Sequence, residues 1–387
     1  MIKDIFSLKL FVKLRALSKN LSIRAAAFAL LALFSTFLAI TLSPLIPQEL
    51  SDILGGGAVK NIIEILANSM LVVVTFSMST LVATYSMISS SATPRAVKII
   101  MEDSSAHNAL STFLGAFIFS ILSLISLSTD FYGPKQKVIL FFVTIVVLII
   151  VIVTIINWIG RLSRFGHLEN LVFEIEKKIE TSLELSNTLF SQEKFDKRFS
   201  SEIIFDRERY GYIQSIDLDK LETLCDETQI QVVLNVNVGD YIGKGSIFAY
   251  AAKLPSEGQR SKILSCFYIG KFRTFEEDPR YAITSISEIS SKALSPGIND
   301  PGSAIFSVHS ITRILFKIAN KKVTLKRNIY FKPISIKELF DLAFLGTMRD
   351  GAEFREVRNA LEESFEILER EELFTATVKQ IKEKGHK

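Results

Sequence analysis

The run VILFFVTIVVLIIVIVTIINWIG, residues Val138–Gly160, decides the fold class of this chain. It contains no Asp, Glu, Lys or Arg and is apolar almost all round a helix. A helix needs roughly 20 apolar residues to cross a hydrocarbon core about 30 Å thick. Trp158 stands close to the end of the run, a position typical of an aromatic anchor at the membrane interface. The run therefore predicts a transmembrane helix.

Three more charge-free stretches precede this run: Ala25–Gln48, Ile65–Pro94 and Ser104–Thr129. Each is long enough to span a bilayer, so residues 25–160 are predicted to form a transmembrane α-helical domain of four spans. The first stretch follows a positively charged start, as the core of a signal peptide does. It exceeds the roughly 7–15 residues of such a core and lacks a clear A-x-A cleavage site, which favours a retained helix.

The charges are divided unevenly along the chain. Its 387 residues include 45 Lys+Arg and 41 Asp+Glu, a formal net charge of +4. Residues 1–160 carry 11 basic and 7 acidic side chains, whereas residues 161–387 carry 34 of each. A neutral second half excludes a nucleic-acid-binding domain with a large basic face. The two cysteines, Cys225 and Cys266, exclude a disulfide scaffold and suit a reducing compartment.

The basic residues also predict an orientation in the membrane. Residues 1–24 carry several Lys and Arg against Asp4 alone, and Arg161 and Arg164 follow the fourth span. Basic residues accumulate at the cytoplasmic ends of spans, and an even number of spans leaves both termini on one side. Both termini and the C-terminal domain are therefore predicted to be cytoplasmic, with residues 1–24 forming a basic amphipathic segment on the membrane surface.

The second span is unusually rich in hydroxyl side chains. At helical spacing one face carries Thr75, Ser79, Ser86 and Ser90, and another carries Ser77, Thr80, Thr84 and Ser91. Small hydroxyl residues let neighbouring helices approach closely and hydrogen-bond. A water or ion path lined by hydroxyl groups is the alternative, and it makes Thr75, Ser79, Ser86 and Ser90 the candidate pore-lining residues. The sequence leaves both interpretations open.

The second half is predicted to be a connecting helix followed by an α+β domain. Residues 161–190 carry an apolar stripe at helical spacing, which fits either a seam between subunits or the core of the same domain. Residues 191–387 begin with strands, and the run Gln229–Val238 alternates most clearly. A short helix is predicted over Leu218–Thr228, and a hairpin over VNVGDYIGKGSIFAY, residues 236–250.

This hairpin, with GYIQSID at residues 211–217 upstream, resembles half of a barrel-sandwich domain of the biotinyl or lipoyl type. Carrier domains of that type present a lysine in a Met-Lys-Met or Asp-Lys-Ala tripeptide. Neither tripeptide occurs in this chain. A barrel-sandwich-like β unit is therefore predicted without a carrier function.

A helical hairpin is predicted over Arg280–Ala293 and Pro301–Asn320, joined by LSPGINDP at residues 294–301. Asp300 is a good N-cap and Pro301 suits the first helical position. The free N–H groups at a helix start also form an anion site. The joint is thus either a rigid capped turn or a pocket for an ion or small anionic ligand. The candidate ligand-binding residues are Arg273, Arg280, Asn299, Asp300 and His309.

Helices are also predicted over Lys337–Met348 and from Ala352 to about Lys384. The chain has no nucleophile–base pair, no Cys/His metal spacing, no Walker loop and no G-x-G-x-x-G motif. No catalytic residue, no metal ligand and no cofactor is therefore predicted. An enzyme acting at the Asn299–Asp300 loop is the least favoured hypothesis.

Four motifs occur in order along the chain: TPRAVKIIMEDSSAHNALSTFLGAFIFSIL from Thr93, GYIQSID with VNVGDYIGKG, KALSPGINDPGSA from Lys292, and ELFDLAFLGTMRDG from Glu338. With them the chain resembles the domain-of-unknown-function 2254 family of predicted bacterial membrane proteins. The resemblance implies a four-span half in the bacterial inner membrane and a soluble C-terminal half. It supplies no established catalytic residues. Gly302 departs from the bulkier residue that often follows the NDP motif.

Two functional hypotheses follow from these features. The leading one is a homo-oligomeric channel or facilitator whose cytoplasmic domain gates it or senses a ligand. Four spans enclose a poor path alone, so subunits would have to share one. The alternative is a membrane-anchored sensory or scaffold protein, in which the hydroxyl-rich span only packs. The lipid bilayer is the predicted partner in both, and nucleic acid is a partner in neither.

Overall fold

The structure, a computed structural model, describes residues 21–54, 57–91, 93–95, 104–129, 132–162, 168–185, 190–191, 199–205, 208, 210–321, 326 and 328–385. The chain divides into two compact units. The first comprises Met1–Met87 and Ile100–Gly166, and the second comprises Ile88–Ile99 and His167–Lys387. The amphipathic segment predicted for residues 1–24 lies outside the described residues, except for its last four positions, which begin the first helix.

The described residues of the first unit form helices joined by short turns. The helices are α1 (Leu21–Leu42), α2 (Gln48–Leu54), α3 (Ala58–Ser91), α4 (Ser104–Ser128) and α5 (Pro134–Leu162), of which α3 belongs to this unit as far as Met87. Helices α1, α3, α4 and α5 are long and apolar enough to cross a membrane. The prediction of four long apolar helices is confirmed. Helix α3 begins at Ala58, before its charge-free stretch, and its first turns carry Lys60 and Glu64, which form an ion pair at 3.8 Å.

The first predicted span is confirmed as a long apolar helix, but its charge-free stretch, Ala25–Gln48, extends past the end of that helix. Helix α1 ends at Leu42, and a 3₁₀ turn over Ser43–Leu45 leads into α2. Pro44 and Pro47 explain the break, because proline has no backbone N–H and its ring clashes with the preceding helical turn. A search for charge-free residues alone does not detect this boundary.

Helix α1 packs against α4 and α5, and α4 also packs against α5. Close packing rests on small residues placed opposite large ones. A Cβ on Gly115 of α4 would overlap the ring of Phe28 on α1. Phe113 and Phe119 of α4 are fully buried in the same apolar cluster. Helix α3 joins this cluster through Val59, Ile63, Leu66, Met70 and Leu81.

The second unit contains short strands and eight helices among its described residues. The first elements are α6 (Leu168–Leu185), β1 (Phe190–Ser191), β2 (Ser201–Ile204), β3 (Gly211–Ile216), α7 (Leu218–Thr228), β4 (Val232–Leu234), β5 (Tyr241–Ile242), β6 (Ile247–Ala251), α8 (Glu257–Leu264) and β7 (Phe267–Gly270). The remaining ones are α9 (Pro279–Ala293), α10 (Pro301–Ala319), β8 (Ile329–Phe331), β9 (Ile334–Ser335), α11 (Ile336–Asp350), α12 (Arg355–Glu369) and α13 (Glu372–Gly385).

The strands form three sheets, with orders β2-β6-β4-β8, β5-β3-β7 and β1-β9. The predicted hairpin was therefore only partly right, since β4 pairs with β6 but β5 pairs with β3. Gly239, at φ +92°, turns the chain between β4 and β5. Its N–H then donates to the carbonyl of Ile213 at 2.8 Å, which carries β5 to the second sheet. The barrel-sandwich shape remains a prediction.

The burial of helix α6 decides between the two interpretations of the apolar stripe on the connecting helix. Its apolar stripe is buried against α9 and α10 of the same unit, so the stripe is core rather than a seam between subunits. The helix ends at Leu185 among the described residues, and Phe190 begins β1 instead. Strand β1 pairs in parallel with β9, which takes Phe190 out of the predicted helix.

The two C-terminal helices correct a second prediction. The charged helix expected from Ala352 to about Lys384 is two helices, α12 and α13, separated at Arg370 and Glu371. The turn between them lets both apolar faces reach one aromatic side chain. The ring of Phe340 lies 6.4 Å from that of Phe365 on α12 and 5.4 Å from that of Phe374 on α13. Core packing therefore overrides the continuous helical pattern.

Candidate functional site

The hydroxyl groups of α3 differ in burial, and Thr80 is half-buried. Ser77 and Thr84 are buried, at 1% and 8% exposure. The hydroxyl face of α3, defined as Thr75, Ser79, Ser86 and Ser90, is exposed throughout in the protomer. The four predicted pore-lining residues are thus on one side of one helix, directed away from the packed core of the first unit.

Exposed apolar side chains border the hydroxyl face of α3. Val72, Phe76 and Val82 are 68%, 64% and 55% exposed. The Thr75 hydroxyl donates to the Leu71 carbonyl at 2.9 Å, so the polarity of this group is partly satisfied within the helix. Such a mixed face can contact lipid, a second helix or water. The side chains of this face are exposed in the protomer.

The last turn of α3 and the residues after it lie along α9 within the second unit. The Lys292 ammonium donates to the carbonyl of Ser89 at 3.2 Å. Arg95 forms an ion pair with Glu288, and its guanidinium lies 5.8 Å from the ring centre of Tyr281. Tyr281, Glu288 and Lys292 share one face of α9, since they are seven and four residues apart.

Tyr281 lies between two guanidinium groups. Arg273 approaches the ring at 5.0 Å from its centre and is held by an ion pair with Asp278 at 2.7 Å. Burial raises the pKa of Tyr281, although the charges of Arg95 and Arg273 oppose this effect. Asp278 also caps α9 by accepting from the N–H of Tyr281 at 3.1 Å. This cluster orders the start of α9 by charge and cation–π contact.

Arg280 joins three parts of the second unit. It donates to Asp240 at 2.6 Å and to the Val238 carbonyl at 2.9 Å, both in the turn before β5. It also donates to Glu338 of α11 at 3.1 Å. Burial opposes the charged form, but Asp240 outweighs it, so the pKa of Arg280 is raised and the side chain stays cationic. Three neighbouring acids, Asp240, Asp278 and Glu338, leave little positive potential at Arg280 for an anionic ligand.

The structure places the five predicted ligand-binding residues at two separate locations. Arg273 and Arg280 lie at the start of α9, whereas Asn299 and Asp300 follow its end. A helix of 15 residues is about 22 Å long. His309 is half-buried in α10, more than two turns beyond Asp300. The five side chains therefore do not line one pocket, which corrects the shared site that the sequence suggested.

The Asn299–Asp300 joint has the geometry of a capped turn. Asp300 accepts from the backbone N–H of Ser303 at 3.1 Å and from its hydroxyl at 2.6 Å. These bonds hold the pKa of Asp300 below its usual range. The positive φ falls on Asn299, at 52°, rather than on Gly297. The Asp300 N–H donates to the Ala293 carbonyl at 2.8 Å, which closes the loop.

Sequence reasoning missed several members of the cluster on α9. Asp278 and Pro279 repeat the cap pattern of Asp300 and Pro301, so this signal was available. The partners Glu288 and Glu338 had no local signal. Among the residues that the structure describes, no group of three His, Cys, Asp or Glu side chains could hold a metal ion. The clustered groups are ion-paired to each other and are suited to fixing helices.

Comparison with known proteins places the chain among membrane proteins of unestablished function. It is 29% identical over 117 residues to an uncharacterized protein, Mb1321c, of Mycobacterium bovis, and likewise to the uncharacterized protein Rv1290c of Mycobacterium tuberculosis. These matches cover 29% of this chain but only 22% of each relative. No solved structure matches the chain significantly. A family model described as a predicted membrane protein, DUF2254, matches residues 18–366. The chain therefore belongs to the DUF2254 family of predicted membrane proteins.

Proposed function

We propose that this chain forms a homo-oligomeric channel or facilitator in the inner membrane, with the hydroxyl face of α3 lining the path. The observation that carries the proposal is the difference in burial among the hydroxyl groups on α3. Ser77 and Thr84 are buried in the protomer, whereas Thr75, Ser79, Ser86 and Ser90 are exposed. Contact between copies around a shared axis would turn this face towards a common path.

The absence of charged side chains from the span supports a path for small solutes that are neutral or that are selected only weakly by charge. Residues 65–91 of α3 contain no Asp, Glu, Lys or Arg. Rings of charged side chains give pores their charge selectivity, and intramembrane acids carry proton relays. We therefore infer a hydroxyl-lined path with weak charge selectivity, in which the hydroxyl oxygens replace part of the hydration shell of the permeant.

One hydrogen bond and one ion pair along α9 support gating by the second unit. The carbonyl of Ser89 accepts from Lys292, and Arg95 is paired with Glu288. A shift of α9 on ligand binding would displace the last turn of α3, the helix that carries the hydroxyl face. We place the second unit on the cytoplasmic side, because basic residues flank both ends of the four spans.

Flux through liposomes containing purified protein tests this proposal. We expect potassium chloride or glycerol permeability above that of empty vesicles. Replacing Thr75, Ser79, Ser86 and Ser90 together by Ala should change the flux severalfold. The matched control, Ser77→Ala with Thr84→Ala, removes buried hydroxyls from the same helix. A permeability equal to that of empty vesicles for both solutes would overturn the proposal.

A membrane-anchored sensory or scaffold protein is the second candidate. It is supported by the second unit, whose connecting helix α6 packs on its own α9 and α10. A module of this kind can bind a partner without any path through the membrane. In that case the four Ala substitutions would leave its cellular function unchanged. Liposomes containing the protein would then show no flux above that of empty vesicles.

A further inference from the structure

We propose that ionic strength regulates the path, through a latch between the C-terminal end of α3 and α9. The latch is defined as the ion pair of Arg95 with Glu288 and the hydrogen bond from Lys292 to the Ser89 carbonyl. All four residues belong to the second unit. The effect of the latch on the end of α3 is a property of that unit, whereas its effect on flux rests on the proposed function.

Helix α3 takes part of its C-terminal cap from α9. The last four carbonyl groups of a helix have no partner within that helix, and in α3 they belong to residues 88–91. The Lys292 ammonium donates to one of them, the carbonyl of Ser89, at 3.2 Å. A cation at this position also opposes the negative end of the helix dipole. The order of the last turn of α3 therefore depends on the position of α9.

Arg95 extends this contact along the same face of α9. It follows the end of α3 at Ser91 by four residues, so it anchors the segment that leaves the helix. Its guanidinium pairs with Glu288 and lies 5.8 Å from the ring centre of Tyr281. Charge acts in both parts of the latch, because one is an ion pair and the other joins an ammonium to the negative end of a helix.

The ion pair of the latch is accessible to dissolved salt. The side chains of Arg95 and Glu288 are 43% and 35% exposed. Exposed pairs contribute little to stability and are screened, since the screening length falls from about 10 Å at 0.1 M to about 3 Å at 1 M salt. Glu176, 7% exposed in its pair with Arg313, is screened much less. Rising ionic strength should therefore loosen the latch while α6 and α10 stay joined.

Release of the latch reaches the proposed path through α3 itself. Ser90 belongs to the hydroxyl face of α3 and lies in the last turn, and Ser86 lies one turn before it. Fraying or displacement of that turn would move these two hydroxyl groups relative to Thr75 and Ser79. The flux should therefore differ between low and high ionic strength.

Hydrogen exchange of the end of α3 tests the latch independently of flux. Full-length protein in lipid nanodiscs is exchanged at about 0.1 M and about 1 M potassium chloride, and the peptide containing residues 87–91 is followed by mass spectrometry. We expect exchange roughly threefold faster at high salt, because the latch no longer orders the last turn. Sucrose of equal osmolality should have no effect.

Two variants of the latch and one matched control assign this response. Glu288→Gln and Arg95→Gln should each exchange fast at both salt concentrations, because each breaks the same ion pair. Glu180→Gln breaks the pair with Lys317, whose partners are similarly exposed at 47% and 44%. This control should keep the parental response. The latch is overturned if the parent exchanges equally at both salt concentrations, or if both latch variants respond to salt as the parent does.

Glycerol permeability of liposomes tests the link to the path, because the gradient of a neutral solute does not depend on salt. The permeability should change roughly threefold between the two salt concentrations in the parent and in Glu180→Gln, and stay constant in Glu288→Gln. Potassium glutamate should act like potassium chloride, since screening depends on ionic strength. A response to chloride alone, or a constant permeability where exchange responds, would overturn the regulation. Permeability equal to that of empty vesicles, with the exchange response retained, would overturn the proposed function and support the latch.

Discussion

The carboxylate of Glu176 on α6 accepts two hydrogen bonds from the guanidinium of Arg313 on α10, at 2.9 Å from Nε and 2.7 Å from Nη2. It also accepts from the Ser310 hydroxyl at 2.8 Å, and Glu176 is only 6% exposed. One turn further along, Glu180 pairs with Lys317 at the surface. The two helices are therefore joined by one ion pair whose carboxylate is buried and by one exposed ion pair.

Replacing Glu176 by Gln should destabilise the protein by about 1–3 kcal/mol, because charge-assisted bonds from Arg313 are lost at a buried site. Glu180→Gln is the matched control, and an exposed pair should contribute less than about 1 kcal/mol. Denaturant unfolding in detergent, followed by circular dichroism, measures both. Equal losses for the two variants would contradict the role of burial.

The same pair predicts a loss of stability in acid. Burial raises the pKa of Glu176, but hydrogen bonds from Arg313 and Ser310 outweigh burial and hold that pKa below the usual glutamate value. A folded-state pKa below the unfolded one stabilises the protein above the unfolded pKa, and this stability is lost as the pH falls through the folded value. The unfolding free energy should therefore fall below about pH 4.5. The fall should be shallower in Glu176→Gln; an identical acid profile would contradict the assignment.

Gly239 and Gly245 give a paired test of backbone strain. Both have positive φ, at 92° and 88°, but a Cβ on Gly239 would overlap Asp278, whereas a Cβ on Gly245 meets open space. Gly245→Ala should lose about 1–2 kcal/mol from conformation alone. Gly239→Ala should lose a further ~1–3 kcal/mol from the overlap. Thermal unfolding of the two variants measures the difference, and equal values would show that Asp278 moves aside freely.

The cap at Asp300 is tested by two substitutions. Asp300→Ala should destabilise by about 1 kcal/mol, whereas Asp300→Ser keeps an oxygen for the N–H of Ser303 and should retain most of the stability. Denaturant unfolding compares the two. If Asp300→Ala kept full stability but lost binding of a small ion or ligand, the loop would be a ligand site rather than a cap.

The two cysteines should be unreactive in the folded protein. Burial raises the pKa of Cys225 to about 12 and that of Cys266 to about 11, so both remain protonated at pH 8. The thiolate is the nucleophile. Ellman's reagent should therefore modify neither thiol in the native protein and both after denaturation. Rapid native modification of either would show that the β core opens.

Local patterns predicted the elements that local chemistry controls. Helix α7 has the predicted bounds, Leu218–Thr228, and Asp300 caps α10 as expected. The four apolar helices followed from length and lack of charge. The charge-free stretch extends past the end of α1 at Leu42, because a lack of charge does not reveal where Pro44 and Pro47 end a helix. The positive φ at Asn299 was missed, since Gly297 offered the more obvious turn residue.

Partners distant in sequence escaped prediction for a different reason. Arg95 pairs with Glu288, 193 residues away, and β5 chooses β3 instead of its neighbour β6. These choices depend on where the folded elements meet, which periodicity does not encode. The same limit explains why Arg273 and Arg280 were grouped with Asn299, although α9 separates them. The position of the hydroxyl face of α3 was predictable, but its exposure was not.

The close approach of Gly239 to Asp278 has a consequence for how the family can diverge. The constraint runs one way: a side chain at position 239 would overlap the aspartate at position 278, whereas position 278 can change while the glycine stays. A lineage that shortens residue 278 gives residue 239 room for asparagine, which tolerates positive φ. A lineage that keeps the aspartate should keep the glycine with it. A residue other than glycine at position 239 should therefore occur together with a shorter residue at position 278.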